Sequence, residues 1–335
     1  MRCLTPLLFL VLFILQSCKN DNRLDKDSKS LEITAIISMI DFDFQALEEE
    51  LLSLSEKVQA LYEDKDNVLK RAELENKYIK VGHYANSAPN HDPELCTLYF
   101  PQLPNVSEKA VREMMLLTND MDEEFRKVVE ESNVISQVYF NSKVQFNRLY
   151  PPYDVATMIE PNLDVTSYNF YYEADELNNP EKGLVWVKDI YIDPVGQGWV
   201  ISLLNPVYVE DDLKMVMAFD ISVNVILENY LSKTEKKLVV IDEKGTVIAG
   251  KSKAIEALDL PPLRNHTYIQ TITSNNFRLE EYNLFKSKDK DVRRMISHFM
   301  LSGGDQYSLQ KSTEKILVTA YPLDRTGWLI LDVTI

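Results

Sequence analysis

Cysteine is nearly absent from this 335-residue chain: there are three, at positions 3, 18 and 96. Two lie in the amino-terminal segment, so Cys96 is left as a single interior thiol and no disulfide framework is available. Histidine is limited to four residues. His83, His91 and Cys96 share one irregular stretch but match no common zinc-ligand spacing, and His266 and His298 stand alone, so no metal site is expected. Glycine is limited to nine; there is no Gly-x-Ser-x-Gly elbow and no Gly-x-x-x-x-Gly-Lys-Ser/Thr loop, and Ser302-Gly303-Gly304-Asp305 has no phosphate cradle around it. Acyl and phosphoryl transfer therefore have no visible seat, no catalytic residue is assigned, and no cofactor is called for. Positive charge is in deficit, with 36 Lys and Arg against 52 Asp and Glu, a net charge of −16 that repels the phosphate backbone of nucleic acid. The group Asp120, Asp122, Glu123 and Glu124 lacks the Gly and terminal Glu of a calcium loop and reads as a solvated helix turn. No apolar run reaches the roughly 20 residues of a membrane span; Leu7 to Leu15 is only nine.

With 45% apolar and 26% charged residues, the chain can nonetheless bury a sizeable core. Its amino terminus reads as an address. Arg2 supplies a short positive region, Leu7 to Leu15 a signal-type apolar core, and Leu15-Gln16-Ser17-Cys18 resembles the bacterial lipobox. That resemblance implies a signal peptide over residues 1–17 and a lipidated Cys18 holding the protein to a membrane at the extracytoplasmic face of the bacterial cell envelope. Residues 18–34, opening Lys19-Asn20-Asp21-Asn22-Arg23, are expected to serve as a polar tether.

Phe44, Leu47, Leu51, Leu54, Val58 and Leu61 then recur in steps of three and four, and Val68 and Ala72 extend the pattern past Lys65. This spacing predicts a long amphipathic helix that packs on its own domain or pairs with a second copy. Residues 82–106 read as irregular, and a second helix is expected over 107–131, closing a helical region of residues 35–133. From Val134 onward the texture changes to short β-branched and aromatic runs: 134–140, 144–150, 184–192, 199–204 and 215–221, then a helix near 223–231, a hairpin over 238–249 with its turn at Asp242-Glu243-Lys244-Gly245, and another over 316–333. The order predicts an α+β fold, a long helix followed by two lobes with antiparallel sheets, at residues 134–232 and 233–335.

Several stretches resemble the double-Cache family of extracytoplasmic sensor domains, whose lobes are PAS-like: Leu149-Tyr150-Pro151-Pro152-Tyr153-Asp154, Phe170-Tyr171-Tyr172-Glu173-Ala174, Trp186 through Asp193, Asn205-Pro206-Val207-Tyr208, and Ala218-Phe219-Asp220-Ile221-Ser222. In that family a Trp-Tyr-x-x-Ala element, a Tyr on the next strand and an Asp closing the lobe line the membrane-distal pocket. Residues 170–174, Tyr191 and Asp220 occupy the matching positions. The resemblance implies a ligand pocket in residues 134–232, with Tyr168, Phe170, Tyr171, Trp186, Asp189, Tyr191 and Asp220 as its candidate residues. If residues 168–172 are extended, Tyr168, Phe170 and Tyr172 share one face and Tyr171 the other. Aromatic walls and a recessed carboxylate suit a ligand with a cationic or hydrogen-bond-donating head. Amino-acid-binding members resemble Arg-x-Trp-Tyr at a position where this chain has Tyr168-Asn169-Phe170-Tyr171, so the clamp for a ligand carboxylate is missing. The expectation is a lipid-anchored sensor that binds a small molecule and signals through a partner protein. The competing expectation is an envelope lipoprotein with a structural or docking task and a degenerate pocket.

Overall fold

The structure is a computed structural model and describes residues 5–187, 189–196, 198–261, 263, 278–311 and 315–335, with side chains from Leu31 onward. It falls into two compact units, residues 1–45 and 46–335. The first is the leading part of helix α1 (Thr5–Glu63), which runs through the residues read as signal core and tether rather than starting near Phe44. Ile33, Ile36 and Ile40 prolong the three-four spacing upstream of Phe44, which accounts for the continuation. The side chain of Cys18 and the whole of His266 lie outside the described residues. Among those described, no helix is long and apolar enough to cross a membrane.

In the second unit, the remainder of α1 is followed by α2 (Lys65–Glu75), which closes on Asn76 in the left-handed conformation. Two short strands, β1 (Tyr84–Ala85) and β2 (Thr97–Tyr99), occupy the segment expected to be irregular. The expected second helix is two, α3 (Glu108–Leu117) and α4 (Met121–Glu131). The break falls at Thr118-Asn119-Asp120, short polar side chains that compete with helical hydrogen bonds, and the Thr118 hydroxyl donates to the Met114 carbonyl at 2.8 Å. Then come β3 (Gln137–Ser142), β4 (Asn147–Tyr150), α5 (Val155–Met158), α6 (Asn169–Tyr172), β5 (Val185–Trp186), β6 (Tyr191–Ile192), β7 (Trp199–Val209) and β8 (Asp212–Ser222). The first lobe's sheet has the order β1-β2-β4-β3-β8-β7-β5, with β6 also on β7, and its neighbours are antiparallel.

Helix α7 (Val223–Ile226) and a widened turn over Leu227–Leu231 lead to the second lobe. There β9 (Leu238–Ile241), β10 (Val247–Gly250), β11 (Gln306–Gln310), β12 (Lys315–Leu323) and β13 (Trp328–Thr334) form an antiparallel sheet in the order β10-β9-β13-β12-β11. Among the described residues it also carries helices α8 (Ser252–Ala257) and α9 (Lys290–Ser302), and α9 buries Val292, Met295, Ile296 and Phe299, spaced at three and four as a helix requires. Gly245, at φ +76°, turns the β9–β10 hairpin, and a Cβ there would lie 2.9 Å from the Phe285 ring. The α+β plan with two antiparallel-sheet lobes is the one expected.

Alternation along the first sheet gives its two faces different partners. Val138 and Phe140 face back toward the helices, where the Phe125 ring of α4 meets Phe140 edge-on at 6.3 Å. Asn205 Nδ2 donates to Ser55 Oγ of α1 at 2.6 Å across the same face. On that face Arg148 is fully buried and pairs with Asp122, itself only 1% exposed. Arg148 also donates to Thr118 Oγ1, Asn119 Oδ1 and the Met115 carbonyl, while Lys77 and the Tyr78 hydroxyl reach the other carboxylate oxygen, each at 2.7 Å. Asp122 is therefore not part of a solvated turn: helical periodicity puts it on the inner side of α4, beside Phe125. Burial pushes its pKa up, but Arg148 and then Lys77 outweigh that and hold it below the usual carboxylate range.

Removing one partner from such a buried pair leaves the other charge uncompensated, so Asp122→Ala and Arg148→Ala are each predicted to cost about 3–5 kcal/mol in denaturant unfolding. Because the folded pKa of Asp122 is depressed, its contribution is complete above the ordinary carboxylate range and is lost as pH falls through the folded value; Asp122→Ala should flatten that acid limb.

A candidate ligand cavity on the first sheet

The opposite face of the same sheet carries polar side chains inward. Gln137, Tyr139 and Asn141 of β3 share this face with Asn147 and Leu149 of β4, and the register sets Gln137 opposite Asp220 of β8, Tyr139 opposite Leu149, and Asn141 opposite Asn147. Ile159, Leu163 and Val165 from the connection after α5, Phe170 of α6, and the turn Asp193-Pro194-Val195 cover them. The cavity between them is small, about 40 Å³, room for a few water-sized groups.

Asp220 is the electrostatic centre. It is 1% exposed. Its Oδ1 accepts from Ser202 Oγ and from Tyr139 Oη, the latter at 3.1 Å, with Tyr191 Oη at 3.4 Å; its Oδ2 accepts from Gln137 Nε2. Donors at this density favour the ionised form, yet burial and then the nearby Asp193 carboxylate push the pKa up to about 7. The Tyr139 and Tyr191 phenols are raised well above their usual value, first by burial and then by Asp220, and so stay protonated donors. Among the described residues, the cavity lining contains two carboxylates, Asp220 and Asp193, and no Lys, Arg or His. Three amide atoms on its floor are buried without a hydrogen-bond partner: Gln137 Oε1, Asn141 Nδ2 and Asn147 Oδ1.

Of the seven residues named from the sequence, Phe170, Tyr191 and Asp220 line this cavity. Phe170 tilts against Tyr191, ring centroids 5.8 Å apart, and meets Tyr139 edge-on at 6.1 Å. Tyr168 lies behind that wall, stacked on Phe170 at 5.0 Å with ring planes 7° apart. Tyr171 is buried in the apolar cluster with Tyr139, Leu204 and Val216 and does not line the cavity. The cause is local: residues 169–172 form a helical turn begun by hydrogen bonds from the Tyr171 and Tyr172 amides to the Tyr168 carbonyl, so the period-two facing expected for an extended segment does not hold.

Trp186 and Asp189 are likewise outside the cavity. The run expected over 184–192 is split into β5 and β6, and its middle turns toward other partners. Trp186 Nε1 donates to Glu48 Oε1 of α1 at 2.8 Å, and the other Glu48 oxygen pairs with Arg325 in the β12–β13 turn of the second lobe. Asp189 pairs with Lys244 in the β9–β10 turn at 2.5 Å. Both residues thus belong to the seam between the lobes. Residues 188 and 197, used in reading this stretch, lie outside the described residues.

Sequence reasoning missed Gln137, Tyr139, Asn141, Asn147 and Ser202. The signal was present in 137, 139 and 141, polar or amphipathic side chains at every second position of an otherwise apolar run.

No family model matches the chain, and no curated protein matches it. Among solved structures, it is similar to sensory domains of bacterial chemoreceptors, which are of double-Cache type. The sensory domain of the Campylobacter jejuni chemoreceptor Tlp3 with isoleucine bound is 13% identical, with 87% of this chain and 93% of that chain covered at a TM-score of 0.45. The ligand-binding domain of the Pseudomonas fluorescens chemoreceptor CtaA in complex with L-isoleucine is 12% identical, with 68% and 80% covered at the same TM-score.

A carboxyl whose pKa rises from 3.8 to about 7 on folding keeps a proton that the unfolded chain releases, so the ligand-free protein is predicted to lose stability as pH rises between those values. At ~1.4 kcal/mol per pKa unit the loss approaches about 4 kcal/mol. Asp220→Asn should remove this slope, leaving the variant more stable than the parent at pH 8 and similar at about pH 4, near the unfolded value; identical slopes in urea unfolding would refute the assignment.

Proposed function

We propose that the chain is a lipid-anchored, extracytoplasmic sensor of the double-Cache type, whose first lobe binds a small polar molecule bearing a cationic amine and whose bound state is read by a partner protein. The observation that carries this reading is the buried Asp220 carboxylate within aromatic walls, in a lining that among the described residues holds no cationic side chain. An ammonium group would offset the Asp220 charge in a medium of low dielectric, and the faces of Phe170 and Tyr191 attract it further. A free carboxylate on the ligand would meet no counter-charge among the described lining residues, which disfavours the amino-acid zwitterions of the amino-acid-binding family members. Anchoring through Cys18 is supported by the lipobox-like residues that precede it.

Calorimetry with simple primary amines against their alcohol and carboxylate counterparts tests the pocket. Amines are expected to raise the melting temperature, to bind more tightly as pH rises through about 7 while Asp220 gives up its proton, and to lose at least tenfold in affinity in Asp220→Asn. Unchanged melting with every amine would leave the docking-protein reading, in which the cavity has lost its ligand. Separately, metabolic labelling with radioactive palmitate should mark the parent and not Cys18→Ser; equal labelling would refute the anchor.

A further inference from the structure

Glu48 of α1 is a junction between three elements. Its Oε1 accepts from Trp186 Nε1 of β5 at 2.8 Å, and its other oxygen pairs with Arg325 in the β12–β13 turn of the second lobe. The Glu48 side chain is 18% exposed and that of Arg325 27%, so water screens this pair less than a surface one. A second tie, from Asp189 to Lys244 in the β9–β10 turn, joins side chains 45% and 62% exposed and contributes far less. One carboxylate therefore holds α1, the first sheet and the second lobe to one another.

Both ties reach the cavity within a few bonds. Trp186 pairs with Leu203 of β7, and the next residue, Val187, donates its amide to the Ser202 carbonyl at 2.9 Å. The Ser202 hydroxyl in turn donates to Asp220. Tyr191, two residues beyond Asp189, has its hydroxyl 2.5 Å from that of Ser202 and 3.4 Å from Asp220 Oδ1. Ser202 and Tyr191 thus each bond to the cavity carboxylate and each lead to a residue tied to the second lobe. Because the cavity has room for only a few water-sized groups, a larger guest enters by displacing lining side chains, among them Tyr191. Strand β5 is two residues long and borders the sheet, so few ladder bonds oppose its movement.

We propose that Glu48 is a coupling junction between the cavity and the second lobe, with two arrangements: bonded to Trp186 and Arg325 together, or to Arg325 alone with the indole released. Loss of the Ser202 and Tyr191 bonds to Asp220 shifts Trp186 through Val187 and so moves the balance between the two. The Arg325 turn is held more loosely in the second arrangement, because the carboxylate that fixes it is no longer fixed by the first sheet. The coupling runs in both directions, since it is a free energy shared by two sites through one two-state element. It requires no particular ligand chemistry, only that the bonds around Asp220 change.

The test is hydrogen–deuterium exchange on the full, ligand-free chain. The Thr326 and Gly327 amides both donate to the Leu323 carbonyl within the Arg325 turn and report on its hold. In Tyr191→Phe and, separately, in Ser202→Ala, each of which removes one hydroxyl at the cavity, these two amides are expected to exchange at least fivefold faster, with the amides of α9 unchanged. In a Glu48→Gln background, adding Tyr191→Phe should accelerate them no further. Parental rates at Thr326 and Gly327 in both cavity variants overturn the junction, and so does equal acceleration across α9, which marks a general loss of stability. Either cavity variant decides the matter if the other fails to fold. Since no ligand is used, a negative result leaves the amine reading standing, and failure of every amine to bind leaves the junction standing.

Discussion

The burial of Arg148 organises the first lobe. A guanidinium at the centre of a sheet is stable only with its counter-charge and its remaining donors satisfied, and here α3, the 118–120 break and α4 together supply Asp122, Thr118, Asn119 and the Met115 carbonyl. The helices are therefore fixed to the back of β4 by directional bonds as well as by apolar packing. Because side chains alternate, pinning Arg148 backward commits Asn147 and Leu149 forward. A slip of one residue would bury the asparagine against the helices and expose the arginine to the cavity. The ion pair thus determines which polar groups face the ligand space, though it touches none of them.

The front face shows the complementary logic. Asp220 accepts from Ser202, Gln137 and Tyr139, yet its proton affinity is raised, since desolvation and Asp193 together outweigh those donors. An apolar core would avoid this cost entirely. A carboxyl held near its midpoint at neutral pH, beside a second carboxylate and under aromatic rings, changes its charge readily with its surroundings. Stability is given up on the polar cavity face, while the apolar clusters and the second lobe carry the fold.

Much of the architecture was legible in the sequence because periodicity reports on burial. The three-four spacing around Leu47 to Val58 and the β-branched runs near 199–204, 215–221 and 238–241 correspond to elements whose inward faces are apolar. The cavity was legible only where chemistry and family resemblance coincided, at Phe170, Tyr191 and Asp220. Tyr171 could not be placed, since four residues are too few for a period and the turn over 169–172 is set by local backbone bonds to Tyr168. Trp186 and Asp189 have the right residue types for a pocket, but their partners, Glu48, Arg325 and Lys244, come from distant parts of the chain. No local pattern announces such pairing. The amides at 137, 141 and 147 were passed over because Asn and Gln are read by habit as surface or turn residues, whereas a strand delivers them inward as readily as any other side chain.

The first sheet terminates on both sides in fragments of two residues, Tyr84–Ala85 and Val185–Trp186, although β7 and β8 run for eleven. On its outer side β7 is paired by β6 at Trp199–Val200 and by β5 at Leu203–Leu204, and beyond these Pro206 has no amide hydrogen to offer an intruding strand. Long central strands give the cavity face its breadth, and the truncated borders with a proline beside them limit what another chain could copy from this edge.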